Sequence, residues 1–211
     1  MSKTTRWWWV RHAPVTAHKG TIYGQRDLPC DVDDTDTFKA LATMLPDEAA
    51  CITSTLQRTH QTADAIAAQG LTFAERQAEA DLVEQSFGDW QGHSFAEFDH
   101  IRDNIAHRYW SAPAYERPPN GESFADVIAR VAPAVTRLTA EHSGKDIVAV
   151  VHGGTIRAAI AFALGIDADK ALAFAINNCS VTRLDHIDLG ETQSWRINVV
   201  NWLPHTKHKT A

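Results

Sequence analysis

The sequence predicts an α/β fold with a mostly parallel central sheet. Two observations carry this expectation: apolar runs of strand length recur along the chain, and stretches of helical periodicity separate them. Length adds a third. At about 150 residues per domain, 211 residues suit one domain, 1–211, with an insertion at about 85–120. Such a chain buries a core without disulfide or metal staples.

Trp7-Trp8-Trp9-Val10 is a short aromatic and apolar run that reads as a buried strand, and Pro14, Gly20, Gly24 and Pro29 make 13–30 a long loop. A helix follows from about Asp33 to Leu45, then a second strand over Ala49–Thr53. Ser54-Thr55-Leu56-Gln57 has the S-x-x-Q form of a capping box and opens a helix to about Ala68. The stretch 85–120 mixes aromatics, charges and proline breaks, as expected of short helices and loops. Ser123-Phe124-Ala125-Asp126 starts another helix that runs to about His142, with Pro133 expected to kink it or mark a junction. Asp146–Val151 is the clearest strand, Gly153-Gly154 leads into a helix over Thr155–Leu164, and Ser180–Leu184 and Trp195–Val200 read as two late strands. The tail His205-Thr206-Lys207-His208-Lys209 reads as a frayed end.

Composition narrows the function classes. Twenty Lys+Arg against 26 Asp+Glu give a formal charge of −6, which argues against nucleic acid or an anionic membrane as the main partner. Cys30, Cys51 and Cys179 are odd in number and widely spaced, so they suggest neither a disulfide framework nor a thiolate metal site. The apolar run near the N-terminus is too short for a signal h-region, and no stretch has the length of a membrane span. These features describe a soluble, cytoplasmic, globular protein.

The chemistry-bearing residues fall at strand ends. Arg11-His12 follows the first strand, Arg58 lies in the helix after the second, and His152 follows Asp146–Val151. In a parallel α/β sheet the ligand site lies beyond the carboxyl ends of the strands, so two histidines and two arginines are expected at one rim. A cation early in a helix, as at Arg58, opposes the macrodipole by about 0.3–1 kcal/mol, and a bound anion reverses that sign. His152 before Gly153-Gly154 makes a related site, with unhindered amides at a helix N-terminus. Arg11 and His12 would face opposite sides of a regular strand, so both reach one ligand only if His12 lies past its end. Each residue alone also suits an ordinary structural role, a solvated helix charge for Arg58 or a hydrogen-bonded strand-end histidine for His152. Their joint placement points to a phosphate or sulfate pocket.

Four ordered segments carry a resemblance: Trp9-Val10-Arg11-His12; Thr53-Ser54-Thr55-Leu56-Gln57-Arg58-Thr59-His60-Gln61-Thr62-Ala63; Leu82-Val83-Glu84-Gln85-Ser86-Phe87-Gly88-Asp89-Trp90-Gln91-Gly92; and Val151-His152-Gly153-Gly154. With Gly121-Glu122-Ser123, Arg130-Val131 and Asn178–Thr182, the chain from Trp7 to Leu184 resembles the histidine phosphatase (phosphoglycerate mutase-like) superfamily. The resemblance implies a three-layer α/β/α sandwich, with the insertion over the site. It also implies a phosphomonoester hydrolase acting on a small phosphorylated metabolite, with no cofactor and no metal because arginines supply the charge clamp. On this reading His12 is the nucleophile that becomes phosphorylated, and Arg11, Arg58, His152 and Gly153 hold the phosphate. Glu84 is the general acid and then the base, a role that suits a raised pKa. His152 belongs with the catalytic group.

Departures matter. Ala13-Pro14-Val15 stands where Gly-Glu-Thr is usual, and Gln91 where many relatives have Glu. Glu84-Gln85-Ser86-Phe87-Gly88 replaces the mutases' Glu-Arg-His-Tyr-Gly, which removes a cation and favours phosphatase over phosphoglycerate mutase. The loop Gly20–Pro29 is similar to that of alpha-ribazole phosphatase, so alpha-ribazole phosphate is a candidate substrate. His18, Tyr23 and Arg26 are candidates for the substrate entrance, and Phe95, Phe98, Tyr109 and Trp110 for a leaving-group wall. A non-catalytic phospho-ligand module is a different reading, disfavoured by the presence of Glu84. A histidine-based metallohydrolase is another, disfavoured by the lack of H-x-x-x-H or H-x-H spacing among eleven histidines.

Overall fold

A computed structural model describes residues 2–94, 97 and 113–204. Six strands form one sheet: β1 (Lys3–Arg11), β2 (Ala49–Thr53), β3 (Phe73–Ala78), β4 (Asp146–Val151), β5 (Val181–Asp188) and β6 (Gln193–Trp202). Their order is β3-β2-β4-β1-β5-β6. β3, β2, β4 and β1 run parallel, and β5 and β6 complete the sheet in antiparallel pairing. β2 and β4 lie inside the sheet, which is why they read as unbroken apolar runs.

The pleat divides the core in two. Trp7, Trp9, Ile147, Ala149 and Val151 face one side, where they meet α3 (Phe124–Glu141), α4 (Gly153–Leu164) and the short α5 (Ala168–Ala171). Val10, Cys51, Val148 and Val150 face the other, against α1 (Thr35–Met44) and α2 (Gln57–Ala67). The result is the expected α/β/α sandwich. Trp7 and Trp9 stack at 4.6 Å between ring centroids, and Trp7 Nε1–H donates to Thr139 Oγ1 at 2.9 Å, so the aromatic run closes the sheet onto α3.

Three local features differ from the sequence reading or add to it. α3 runs without a break through Pro133, so no junction lies there. Proline costs a helix interior about 3 kcal/mol, but Val127, Val131, Ala134, Val135 and Leu138 bury a continuous stripe on both sides of it. A reciprocal Ser123–Asp126 capping box starts that helix. Ser54 is not the N-cap: α2 begins at Gln57 with Leu56 at the N-cap and no side-chain cap bond, while the Ser54 hydroxyl accepts from Leu56 N–H at 3.2 Å and meets His152 at 2.7 Å. β3 had no apolar signature, being an edge strand whose Phe-Ala-Glu-Arg-Gln-Ala is almost wholly exposed. Phe95, Phe98, Tyr109, Trp110 and the tail from His205 lie outside the described residues. Among the described residues, no helix is long and apolar enough to cross a membrane.

Candidate active site

The parallel register sets the site. Arg11 lies opposite Val151, and Val10 and Thr53 both pair with Val150, so β1 and β4 end level with one another and β2 one residue earlier. The next residues, His12, His152 and Ser54, therefore emerge at one rim. His12 lies just past the end of β1, which frees its side chain from the strand's alternation, and its N–H still donates to Val151 O at 2.9 Å. Asn178 Nδ2–H donates to the His12 carbonyl at 2.8 Å, and Cys179 N–H to the Arg11 carbonyl at 2.9 Å. The nucleophile candidate is thus held on both sides through its backbone.

Hydrogen bonding fixes both imidazole tautomers. His12 Nδ1 lies 2.6 Å from Ala13 O, and a carbonyl only accepts, so Nδ1 carries the proton and Nε2 the lone pair. His152 Nδ1 accepts from Arg58 Nε–H at 3.3 Å, which leaves its Nε2–H directed at Ser54 Oγ, 2.7 Å away. The rings stand edge to face, 5.2 Å apart. Burial, then the charges of Arg58 and Arg11, hold the His12 pKa well below 6.5. Burial and Arg58 do the same for His152. Both rings are neutral at neutral pH.

Arg58 is completely buried and sits in the first turn of α2. Its Nη1–H donates to Arg26 O at 2.9 Å and its Nη2–H to Gly24 O at 2.7 Å, and the guanidinium lies 5.2 Å from the Tyr23 ring centroid. The long loop after β1 thus exists partly to seat this cation. His18 packs on Tyr23 at 5.3 Å. Arg26 joins through its backbone, while its exposed side chain extends toward Gly92. Arg11 Nη1–H donates to Ile176 O at 2.6 Å, and its buried Nε–H has no protein partner.

Glu84 meets this cluster from the opposite side. Its Oε1 accepts from Gly154 N–H at 3.1 Å and from Gln85 N–H at 3.0 Å, so the N-terminus of α4 is occupied by the protein's own carboxyl group. A Cβ on Gly154 would stand 2.3 Å from that oxygen. A Cβ on Gly153 would meet Arg157 Nη1 at 3.3 Å and Arg11 Nε at 3.5 Å. The two glycines therefore admit different partners, one the acid and the other the guanidinium groups. The backbone of Glu84 is tethered as well: its carbonyl accepts from Gln25 Nε2–H at 2.8 Å and Arg130 Nη2–H at 3.0 Å, and Arg130 pairs with Glu122 at 2.7 Å.

The structure thus brings Arg11, His12, Arg58, Glu84, His152 and Gly153 together, with Tyr23 and His18 at the edge. Sequence reasoning missed Ser54, Gln25, Arg130, Glu122, Asn178 and Arg157 as members of this region. Among the described residues, no group of three or more His, Cys, Asp or Glu is placed to hold a metal ion.

A histidine pair flanked by one buried and one half-buried arginine at the carboxyl ends of parallel strands defines a phosphate-handling class of α/β protein. The chain belongs to the histidine phosphatase superfamily (branch 1), whose profile matches residues 7–202. A bifunctional protein of Mycobacterium tuberculosis is 36% identical over 129 residues, which are 61% of this chain and 34% of that protein. The chain thus spans about a third of the length of that curated relative. The solved mycobacterial glucosyl-3-phosphoglycerate phosphatase is similar in structure, with a TM-score of 0.79 and 26% identity over 96% of this chain and all of that one. A putative alpha-ribazole-5'-P phosphatase from Escherichia coli shares the fold, with a TM-score of 0.71 and 22% identity over 94% of this chain and 98% of its own.

Proposed function

We propose that this protein hydrolyses phosphomonoesters of small metabolites through a phosphohistidine formed on His12. The observation that carries the reading is the fixed tautomer: the His12 Nδ1–H bond to Ala13 O leaves a neutral Nε2 lone pair among the Arg11 and Arg58 cations. No activating base is needed. Nε2 attacks phosphorus, the P–O bond to the leaving group breaks, and Glu84 gives its proton to the departing oxygen. Arg11 and Arg58 stabilise the transferring phosphoryl group, His152 holds the Arg58 guanidinium in place through Nδ1, and the buried Arg11 Nε–H supplies a donor that the protein itself does not use. Water then attacks the phosphohistidine, Glu84 accepts its proton, and inorganic phosphate leaves.

Tyr23 and His18 line the approach on this reading, with Arg26 beside them. The mycobacterial glucosyl-3-phosphoglycerate phosphatase among the structural relatives supports a phosphorylated metabolite as substrate. The Gly20–Pro29 loop keeps alpha-ribazole phosphate on the panel, while the Escherichia coli protein that suggests it contributes only a shared fold. Three free cysteines support a reducing, cytoplasmic location.

Turnover stopped in alkali should leave base-stable, acid-labile phosphate on the protein, bonded to histidine. His12→Ala should abolish the label and lower kcat by roughly 10³-fold or more. Persistence of label and turnover in that variant would overturn the mechanism. Ranking phosphomonoesters by kcat/KM, with nucleotide, sugar and alpha-ribazole phosphates included, identifies the leaving group.

A further inference from the structure

Arg157 follows Gly153 by four residues on α4, so both lie on one helical face. Its Nε–H donates to Phe174 O at 2.8 Å, and Arg11 Nη1–H donates two residues further along, to Ile176 O at 2.6 Å. One loop therefore straps down two guanidinium groups, and both converge on Gly153, next to the Gly154 amide that holds Glu84. Like charges so placed repel, and the carboxylate nearby offsets that repulsion. Burial pushes the Arg157 pKa down to about 10, Glu84 raises it and Arg11 lowers it, so the group remains a cation at neutral pH.

Building on the phosphatase reading, we infer that Arg157 is a positioning residue for Glu84: its guanidinium, seated beside Gly153, orders the carboxyl group on the Gly154 amide so that its proton passes to the leaving group and water later returns one. On this reading Arg11 serves the phosphate and Arg157 the acid. Without Arg157, Glu84 keeps two neutral amide donors but loses this nearby cation. The phosphate clamp and the nucleophile remain intact.

The leaving group gives the test. Nitrophenolate departs with little protonation, whereas the alkoxide of glycerol 2-phosphate needs a proton from Glu84. Arg157→Met should slow phosphohistidine formation from glycerol 2-phosphate, read by rapid quench into alkali, by about tenfold or more and from para-nitrophenyl phosphate by less than about threefold, with no rise in either KM. Arg157→Lys, which keeps the charge, should restore the ratio of the two rates to within about threefold of the parent. It carries the same test if the Met variant does not fold. Equal losses on the two esters, or a KM increase on both, would overturn the inference, the first indicating a structural role and the second direct phosphate binding. Failure of the parent protein to hydrolyse either ester would instead overturn the phosphatase reading on which the inference rests.

Discussion

His12 is 1% exposed and His152 is fully buried, whereas Glu84, across the same site, is only half-buried. Around the histidines, exclusion of water and two arginines set the protonation state, and one carbonyl sets the tautomer. Around Glu84, position is set by tethers: two amides on the carboxylate, and Gln25 and Arg130 on the backbone carbonyl. On the proposed mechanism, the nucleophile end thus depends on burial, and the acid end on geometry. A nucleophile can work as a neutral ring in a dry pocket, but an acid that must also activate water has to stay within reach of solvent.

If that division holds, the acid end can be broken alone. Glu84→Gln keeps the shape and removes the proton, so kcat on an alkyl phosphomonoester should fall by about 10²–10⁴-fold. Phosphohistidine should still form from para-nitrophenyl phosphate and should accumulate, because the base for the second step is gone. Rapid-quench measurement of labelled protein checks this, and a variant that neither forms nor accumulates the label would show the two ends to be one unit.

A smaller effect is expected when the acid is kept but displaced. Gly154→Ala places a methyl group 2.3 Å from Glu84 Oε1, so the carboxylate must leave its amide seat. Alkyl ester turnover should fall by about 10–100-fold, within the range of general acid catalysis. The unfolding free energy should change by about 1 kcal/mol, typical of a single substitution. Equal turnover in the variant and the parent would show that the Gly154 contact does not matter for catalysis.

The same contrast explains what was legible in the sequence. Val10, Val150 and Thr53 sit in short apolar runs that end abruptly, so the histidine end could be placed from strand ends alone. Glu84 could be placed only by resemblance, because its tethers come from Gln25, Glu122 and Arg130, which are far apart in the chain and share no spacing signal. Ser54 was legible but misread. Ser54 and Gln57 satisfy a local capping pattern, yet the tertiary partner His152, 98 residues away, takes the hydroxyl. Arg157 gave no signal at all, since a cation in a helix is ordinarily a solvated one.

The smallest predicted effect concerns stability and tests the burial half of the comparison. The folded-state pKa values of His12 and His152 lie well below the 6.5 of an exposed histidine. Below pH 6.5 the unfolded chain therefore binds protons that the folded protein refuses, and stability is lost as pH falls through the window beneath that value. Each histidine contributes a slope of up to about 1.4 kcal/mol per pH unit there. Lowered carboxylates such as Asp126 act at lower pH, below the ordinary aspartate value of 3.8. Urea unfolding between pH 7.5 and 5 should show the fall in the parent and about half of it in His152→Asn. An unchanged slope in that variant would mean that the second imidazole takes up protons as freely in the folded protein as in the unfolded chain, and that dryness is not what keeps it neutral.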